Sequence, residues 1–171
     1  MAPAQASLLA KLDTQERVRD FLTNAVASGR ASHAYLFLGA PGAGKLDAAW
    51  ALAQAFLCEQ DGCGSCDSCV RVARHTHPDV HYYTPESATG YLIAQTRELL
   101  DDVPLAPIRA KAKVYIIDRA EQLRANTANA LLKTLEEPPE GVMFILLGTS
   151  ADVMLPTIVT VSYTHLRAHE T

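Results

Sequence analysis

The stretch GAPGAGKLDA, Gly39 to Ala48, decides how the chain must fold. It carries the spacing G-x-x-x-x-G-K and sits between an apolar run, AYLFL (Ala34–Leu38), and a helical pattern, DAAWALAQAFL. In that strand–loop–helix setting the spacing predicts a phosphate-cradling loop. Gly39, Gly42 and Gly44 let the backbone turn tightly, so that consecutive N–H groups face one anion-sized hollow, and the following helix adds its N-terminal dipole. Lys45 would place its ammonium between the β- and γ-phosphates of a nucleotide. Leu46, however, stands where a Ser or Thr hydroxyl ligates Mg²⁺ in such loops, and Asp47 lies one position too late to replace it. A glycine turn without a ligand is the competing reading.

Two further apolar runs resemble AYLFL in being continuous rather than alternating: KVYIID (Lys113–Asp118) and VMFILLG (Val142–Gly148). Such runs suit strands buried on both faces of a parallel sheet. DVHYY (Asp79–Tyr83) is a weaker strand candidate. Helical periodicity places Val18, Phe21, Leu22, Ala25 and Val26 on one face, with Asp13 and Glu16 at capping-box spacing and Gly29 as the stop. Helical patterns also cover residues 93–100, ended by Pro104 and Pro107, and residues from Ala120 or Arg124 to Glu137, ended by Pro138 and Pro139. Strands alternating with helices predict an α/β class, three-layer domain with a mainly parallel sheet.

KVYIID ends on Asp118, the acidic residue that such a site requires at the end of a partner strand. The next residue is Arg119, and the nearest further acid, Glu121, is assigned to the following helix. Leu46 and Arg119 are independent departures from a hydrolysing site, so the loop is expected to bind ATP weakly or without hydrolysis and not to hold Mg²⁺.

All four cysteines fall between positions 58 and 69, as Cys58-x4-Cys63-x2-Cys66-x2-Cys69. Disulfide frameworks of secreted chains spread their cysteines; a cluster in a chain without a signal-like start points to a reducing compartment and a metal. Four sulfurs close a tetrahedral shell, which predicts structural Zn²⁺. An iron–sulfur cluster and redox-active C-x-x-C pairs are the rivals. His75 and His77 are read as surface residues.

The 171 residues suit one domain, and no apolar run reaches the roughly 18 residues of a membrane helix, so a cytoplasmic chain with no membrane partner is expected. A net charge of −4 excludes nucleic-acid binding by bulk electrostatics, and Arg71, Arg74, Arg109, Lys111 and Lys113 read as a solvated basic scatter. The end, TVSYTHLRAHET, changes character; its His165 and His169 lack a third ligand and are not taken as a metal site.

The segments SHAYLFLGAPGAGK, the cysteine cluster, KVYIIDRAEQL, NTANALLKTLEEPP and FILLGTSADVMLPTI occur in order. Together they resemble the AAA+ subunits of the bacterial DNA polymerase III clamp loader, over about residues 5–159. The resemblance implies an AAA+ (RecA-like P-loop) domain over 1–159 with a four-cysteine zinc insertion at 58–69, and an unrelated or disordered tail at 160–171. Thr149 and Ser150 match the family's sensor region, so the implied nucleotide contacts are Gly39, Gly42, Gly44, Lys45, Asp118, Thr149 and Ser150. The family's lid, C-terminal collar and trans-acting Ser-Arg-Cys motif are not found. Within the family, Leu46, Arg119 and the short Cys58–Cys63 gap favour the delta-prime kind over the gamma/tau motor. That implies a non-hydrolysing component that helps load the sliding clamp onto primer-template DNA, with gamma/tau and delta as partners. A gamma/tau-like ATPase with an atypical loop, and an unrelated P-loop and zinc interaction module, are the alternatives.

Overall fold

Successive residues of a strand point to opposite faces, and the three strongest apolar runs use both. In β1 (Ala34–Leu38), Tyr35 and Phe37 enter one buried cluster while Ala34, Leu36 and Leu38 enter another. β3 (Lys113–Ile117) sends Val114 and Ile116 one way and Tyr115 and Ile117 the other. β4 (Val142–Gly148) divides Met143, Ile145 and Leu147 from Val142, Phe144 and Leu146. Every residue of these strands is buried, so each face of the sheet needs a covering layer. The computed structural model, which describes residues 7–13, 15–161 and 164–167 (backbone alone from 159 onward), has that three-layer form.

The sheet order is β2-β3-β4-β1-β5, with β2 at Val80–Tyr83 and β5 at Thr164–Arg167, and every pairing is parallel. Helices α1 (Glu16–Ala27) and α2 (Lys45–Leu57) cover one face, joined by Val72 of the short α3 (Asp67–Ala73). Helices α4 (Ile93–Asp102), α5 (Ala125–Glu136) and α6 (Pro156–Val161) lie on the other. The expected α/β architecture is therefore present.

Details differ from the sequence expectations. Helix α1 starts at Glu16 with Gln15 as N-cap and no side-chain cap bond, so Asp13 forms no capping box. Phe21 is exposed, and Leu22 and Val26 carry the inner face. Gly29 does end the helix: at φ 68 it donates to Val26 O, while Arg30 donates to Ala25 O, the paired bonds of a left-handed glycine stop. The cysteine segment contains α3, which the spacing did not reveal. From residue 160 the composition changes, yet the backbone continues as α6 to Val161 and as β5, which pairs with β1. His169 lies outside the described residues.

Two buried charges tie the loop between α4 and β3. Asp79, 1% exposed, accepts the backbone N–H groups of Ile108 (2.5 Å), Arg109 (2.7 Å) and Ala110 (2.7 Å). Burial opposes its ionisation, but the three amides outweigh it and hold the carboxyl below its ordinary range. Lys113 is not part of a solvated scatter: it is 2% exposed, and its Nζ donates to Asp102 O (2.5 Å) and Leu105 O (3.0 Å) and pairs with Asp102 Oδ2 (2.9 Å). The Tyr115 hydroxyl donates to the same carboxylate at 2.5 Å.

Gly90 has φ 120, and a Cβ there would lie 2.7 Å from Gln122 O, so Gly90→Ala is expected to cost about 2 kcal/mol or more in urea unfolding. Asp79, whose folded pKa is depressed, contributes stability that is present above its unfolded value near 3.8 and lost as pH falls through the folded one. Asp79→Asn should lower stability at pH 7 and flatten its acid dependence below about pH 4, read by chemical denaturation at several pH values.

Candidate functional site

The glycine loop leaves β1 at the C-terminal edge of the sheet, where ligands of open α/β sheets bind. Gly42 (φ 83) and Gly44 (φ 84) occupy left-handed backbone, which side chains disfavour, and Gly44 caps α2. Gly39 continues the β1–β4 pairing by donating to Gly148 O at 3.1 Å. The Lys45 ammonium donates to the carbonyls of Gly39 (2.6 Å) and Gly148 (3.0 Å), bridging the ends of the two strands. The Gln15 amide steadies the loop from α1 by donating to Ala43 O at 3.2 Å.

Beside this loop is an open hollow of about 570 Å³, within the usual range for small-molecule sites. Gly42, Gly44, Lys45, Asp118 and Thr149 line it. Gly39 pairs with Gly148 at the strand end, and Ser150 is the N-cap of a short 3-10 turn with no side-chain cap bond; neither lines the hollow. Leu46 does line it, while also packing against the core under α2. The magnesium position is thus occupied by a side chain with apolar contacts of its own.

Asp118 has both oxygens engaged, by the Tyr82 hydroxyl (2.9 Å) and by the Arg119 amide (2.8 Å). Arg119 takes left-handed backbone, φ 46, and its guanidinium donates to Thr84 Oγ1 at 2.9 Å. The kink sends the chain into a 3-10 turn, Ala120–Gln122, rather than directly into α5. Glu121 therefore lines the hollow, and its Oε2 is buried without a hydrogen-bond partner. Helical periodicity cannot register a three-residue turn, so the sequence alone misassigned this residue.

The cysteine segment folds against α2. Cys58 caps the end of that helix, and Cys66 caps α3, its Sγ accepting the Cys69 N–H. The Sγ atoms of Cys58, Cys63, Cys66 and Cys69 lie within 4.8 Å of one another, with Cys63–Cys69 at 4.0 Å and Cys58–Cys66 at 3.9 Å. Zinc–sulfur bonds of about 2.3 Å place tetrahedral sulfurs about 3.8 Å apart, so the donor set fits a zinc ion. Backbone N–H groups of Gln60, Cys63 and Cys66 point at these sulfurs at 3.3–3.4 Å, as thiolate acceptors require. Bonds from Ser65 and Cys66 bring the Cys63 thiol down to about 6, whereas burial pushes those of Cys66 and Cys69 up. A divalent cation would offset that burial cost.

His77 is not a surface residue: it is 4% exposed, and its Nδ1 accepts the Asp79 N–H at 3.0 Å. His75 stacks on Trp50 of α2 with ring centroids 3.9 Å apart. Neither belongs to the sulfur cluster.

Residues 14–165 match the family described as DNA polymerase III, delta subunit. The chain belongs to this family. It is 40% identical over 151 residues to DNA polymerase III subunit delta' of Bacillus subtilis, covering 86% of this chain and 46% of that protein. It is also 41% identical over 150 residues to DNA polymerase III subunit tau of Escherichia coli, covering 85% of this chain and 23% of that protein. The chain thus spans about half or less of these relatives' length. A gamma-subunit-related protein of Thermotoga maritima superposes with TM-score 0.63 at 19% identity, over 89% of this chain and 46% of that one. C. elegans PCH-2 gives 0.66 at 14% identity, over 95% and 46%. These structures establish the AAA+ fold for this DNA polymerase III family chain, and no helix among the described residues is long and apolar enough to cross a membrane.

In the family chain the four sulfurs close a shell without a place for water, so an ion there would hold Cys58, α2 and α3 together and would not act on a substrate. Removing it with a strong chelator under reducing conditions should cost about 3 kcal/mol or more. Thermal melting with and without re-added zinc reads that loss, and metal analysis should find about one zinc per chain, lost in Cys58→Ser.

Proposed function

We propose that this chain is a delta-prime-type, non-hydrolysing component of a bacterial DNA polymerase III clamp loader, acting in DNA replication. In this role it assembles with gamma/tau and delta subunits in the cytoplasm, and it meets the sliding clamp and primer-template DNA through the complex. The observation that carries this reading is the loop hollow: the fold and Lys45 are retained, but Leu46 replaces the metal-ligating hydroxyl and Arg119 replaces the acid after Asp118. Each change removes a different requirement of phosphoryl transfer. Nucleotide is held by loop amides and Lys45, with Thr149 lining the same hollow, and is not turned over. Zn²⁺ in the Cys58, Cys63, Cys66 and Cys69 cluster is structural.

The relatives include both delta' and tau proteins, and steady-state kinetics separates the two roles. The purified chain should show no ATP turnover above background and should co-elute with gamma/tau on gel filtration. Lys45→Ala should leave the background rate unchanged while lowering stability by about 1 kcal/mol, since it removes two hydrogen bonds to strand-end carbonyls. Turnover that disappears in Lys45→Ala would assign the chain to the gamma/tau kind.

A further inference from the structure

The loop hollow has the shape of a phosphate site without the ligands of a phosphate-bound metal. Leu46 fills the place of the hydroxyl and packs against the core. Both Asp118 oxygens are engaged, by the Tyr82 hydroxyl and by the Arg119 amide. Asp47 is exposed on the first turn of α2, one position late. Glu121 lines the hollow, but its Oε2 is buried beside Gly148 and closed to a ligand. Mg²⁺ takes oxygen ligands in octahedral order, with one or two carboxylates from the protein, and this donor set does not fit it. The negative charge of a polyphosphate bound here has to be faced by something other than a metal.

Two cationic side chains line the hollow, Lys45 and Arg119. Among the described residues neither stands in an ion pair. Lys45 is held by two strand-end carbonyls. Arg119 is exposed, and its fork of five N–H donors is held by a neutral partner, Thr84 Oγ1, at 2.9 Å from Nη2.

The backbone of Arg119 is fixed more firmly than its side chain. At φ 46 it lies in left-handed backbone, which residues with long side chains rarely adopt. Just before it the Tyr91 hydroxyl donates to the Asp118 carbonyl, and just after it Gln122 O accepts the Tyr91 N–H at 3.4 Å. Gly90 packs on the same Gln122 carbonyl with no room for a Cβ. An arginine planted in this way at the end of β3 can release one neutral hydroxyl and turn its fork to phosphate oxygens, which guanidinium geometry matches. A neutral hydrogen bond is then replaced by a stronger, charge-assisted one.

We propose that Arg119 supplies the positive charge that a metal ion would otherwise bring, so that the hollow takes the metal-free polyphosphate of a nucleoside diphosphate or triphosphate. Lys45 is the second cation, and Thr84 is the resting partner of Arg119 when the phosphates are absent. The residue that departs from a hydrolysing site is thereby a binding residue. The inference rests on the nucleotide-site reading above and requires no hydrolysis.

Binding of a fluorescent ADP analogue, measured in EDTA and in excess Mg²⁺, tests it on the unaltered chain, Arg119→Ala, Arg119→Lys and Thr84→Val. The unaltered chain should bind more tightly in EDTA, because Mg²⁺ competes with Arg119 for the same phosphate oxygens. Arg119→Ala should weaken binding in EDTA about tenfold or more, the scale of one hydrogen bond to a charged group, and should remove most of that preference. Arg119→Lys keeps the charge and should recover part of the loss. Thr84→Val frees the guanidinium and should bind at least as tightly as the unaltered chain. If the bond between Arg119 and Thr84 only held the kink, Arg119→Ala and Thr84→Val would weaken binding together. That result, tighter binding in Mg²⁺, an unaffected Arg119→Ala, or no binding by the unaltered chain overturns the proposal. The last outcome leaves the clamp-loader assignment standing, since complex formation with gamma/tau reports on that separately.

Discussion

The Lys45 ammonium, set between the carbonyls of Gly39 and Gly148, is the interaction on which the site geometry depends. It joins the ends of β1 and β4 just beyond the last regular pair, Leu38 with Gly148. The loop is thereby held closed over the sheet. An ammonium bonded to backbone carbonyls is also a ready cation for phosphate, because the same group can exchange one set of oxygens for another. Strand-end staple and phosphate contact are alternative uses of one side chain. This gives Lys45 a structural use that does not depend on whether nucleotide is bound.

The same economy of elements links the glycine loop to the sulfur cluster. Helix α2 begins at the loop and ends at Cys58, so the two sites are the two ends of one rod. Gln54, 1% exposed, holds its middle: its Oε1 accepts the Leu8 N–H at 2.8 Å and its Nε2 donates to Cys69 O at 3.0 Å. Nearer the loop, Trp50 is covered by His75, which ends α3 in left-handed backbone with φ 56. A glycine would sit there without strain, and the histidine costs about 1 kcal/mol in backbone energy. Its parallel stack on Trp50 contributes a similar amount. Packing of α3 along α2 thus keeps a residue that local backbone preference would reject.

Legibility of the sequence followed how locally each feature is determined. AYLFL, KVYII and VMFILLG read as buried strands because burial on two faces demands unbroken apolar runs, and the Gly39–Lys45 spacing read as a loop because only glycines accept its backbone. The cysteines converge as their spacing predicts. What escaped was set by partners far along the chain. Lys113 reads as surface charge until Asp102 and the Leu105 carbonyl surround it. His77 reads as exposed until the Asp79 amide fills its Nδ1. Asp13 has the right spacing to Glu16 for a cap, but the helix takes Gln15, whose amide is needed by the loop at Ala43. Glu121 was misplaced because one left-handed residue, Arg119, inserted a turn that no periodicity encodes.

That kink also separates two properties that motif reading treats as one. The architecture of a phosphate site (strand, glycine turn, helix, acid on a neighbouring strand) is enforced by core packing, because β1 and β3 are buried throughout and fix where their ends emerge. The chemistry is carried by a few side chains at those ends, which contribute little to the core. Replacing a hydroxyl by Leu46 even adds apolar contact beneath α2, and Arg119 finds a partner in Thr84 outside the hollow. Neither change therefore costs the fold anything that the remaining contacts do not restore. On the non-hydrolysing reading proposed above, the domain would lose turnover while keeping its fold. Fold stability is then expected to be insensitive to the residues that divide motor from non-motor members.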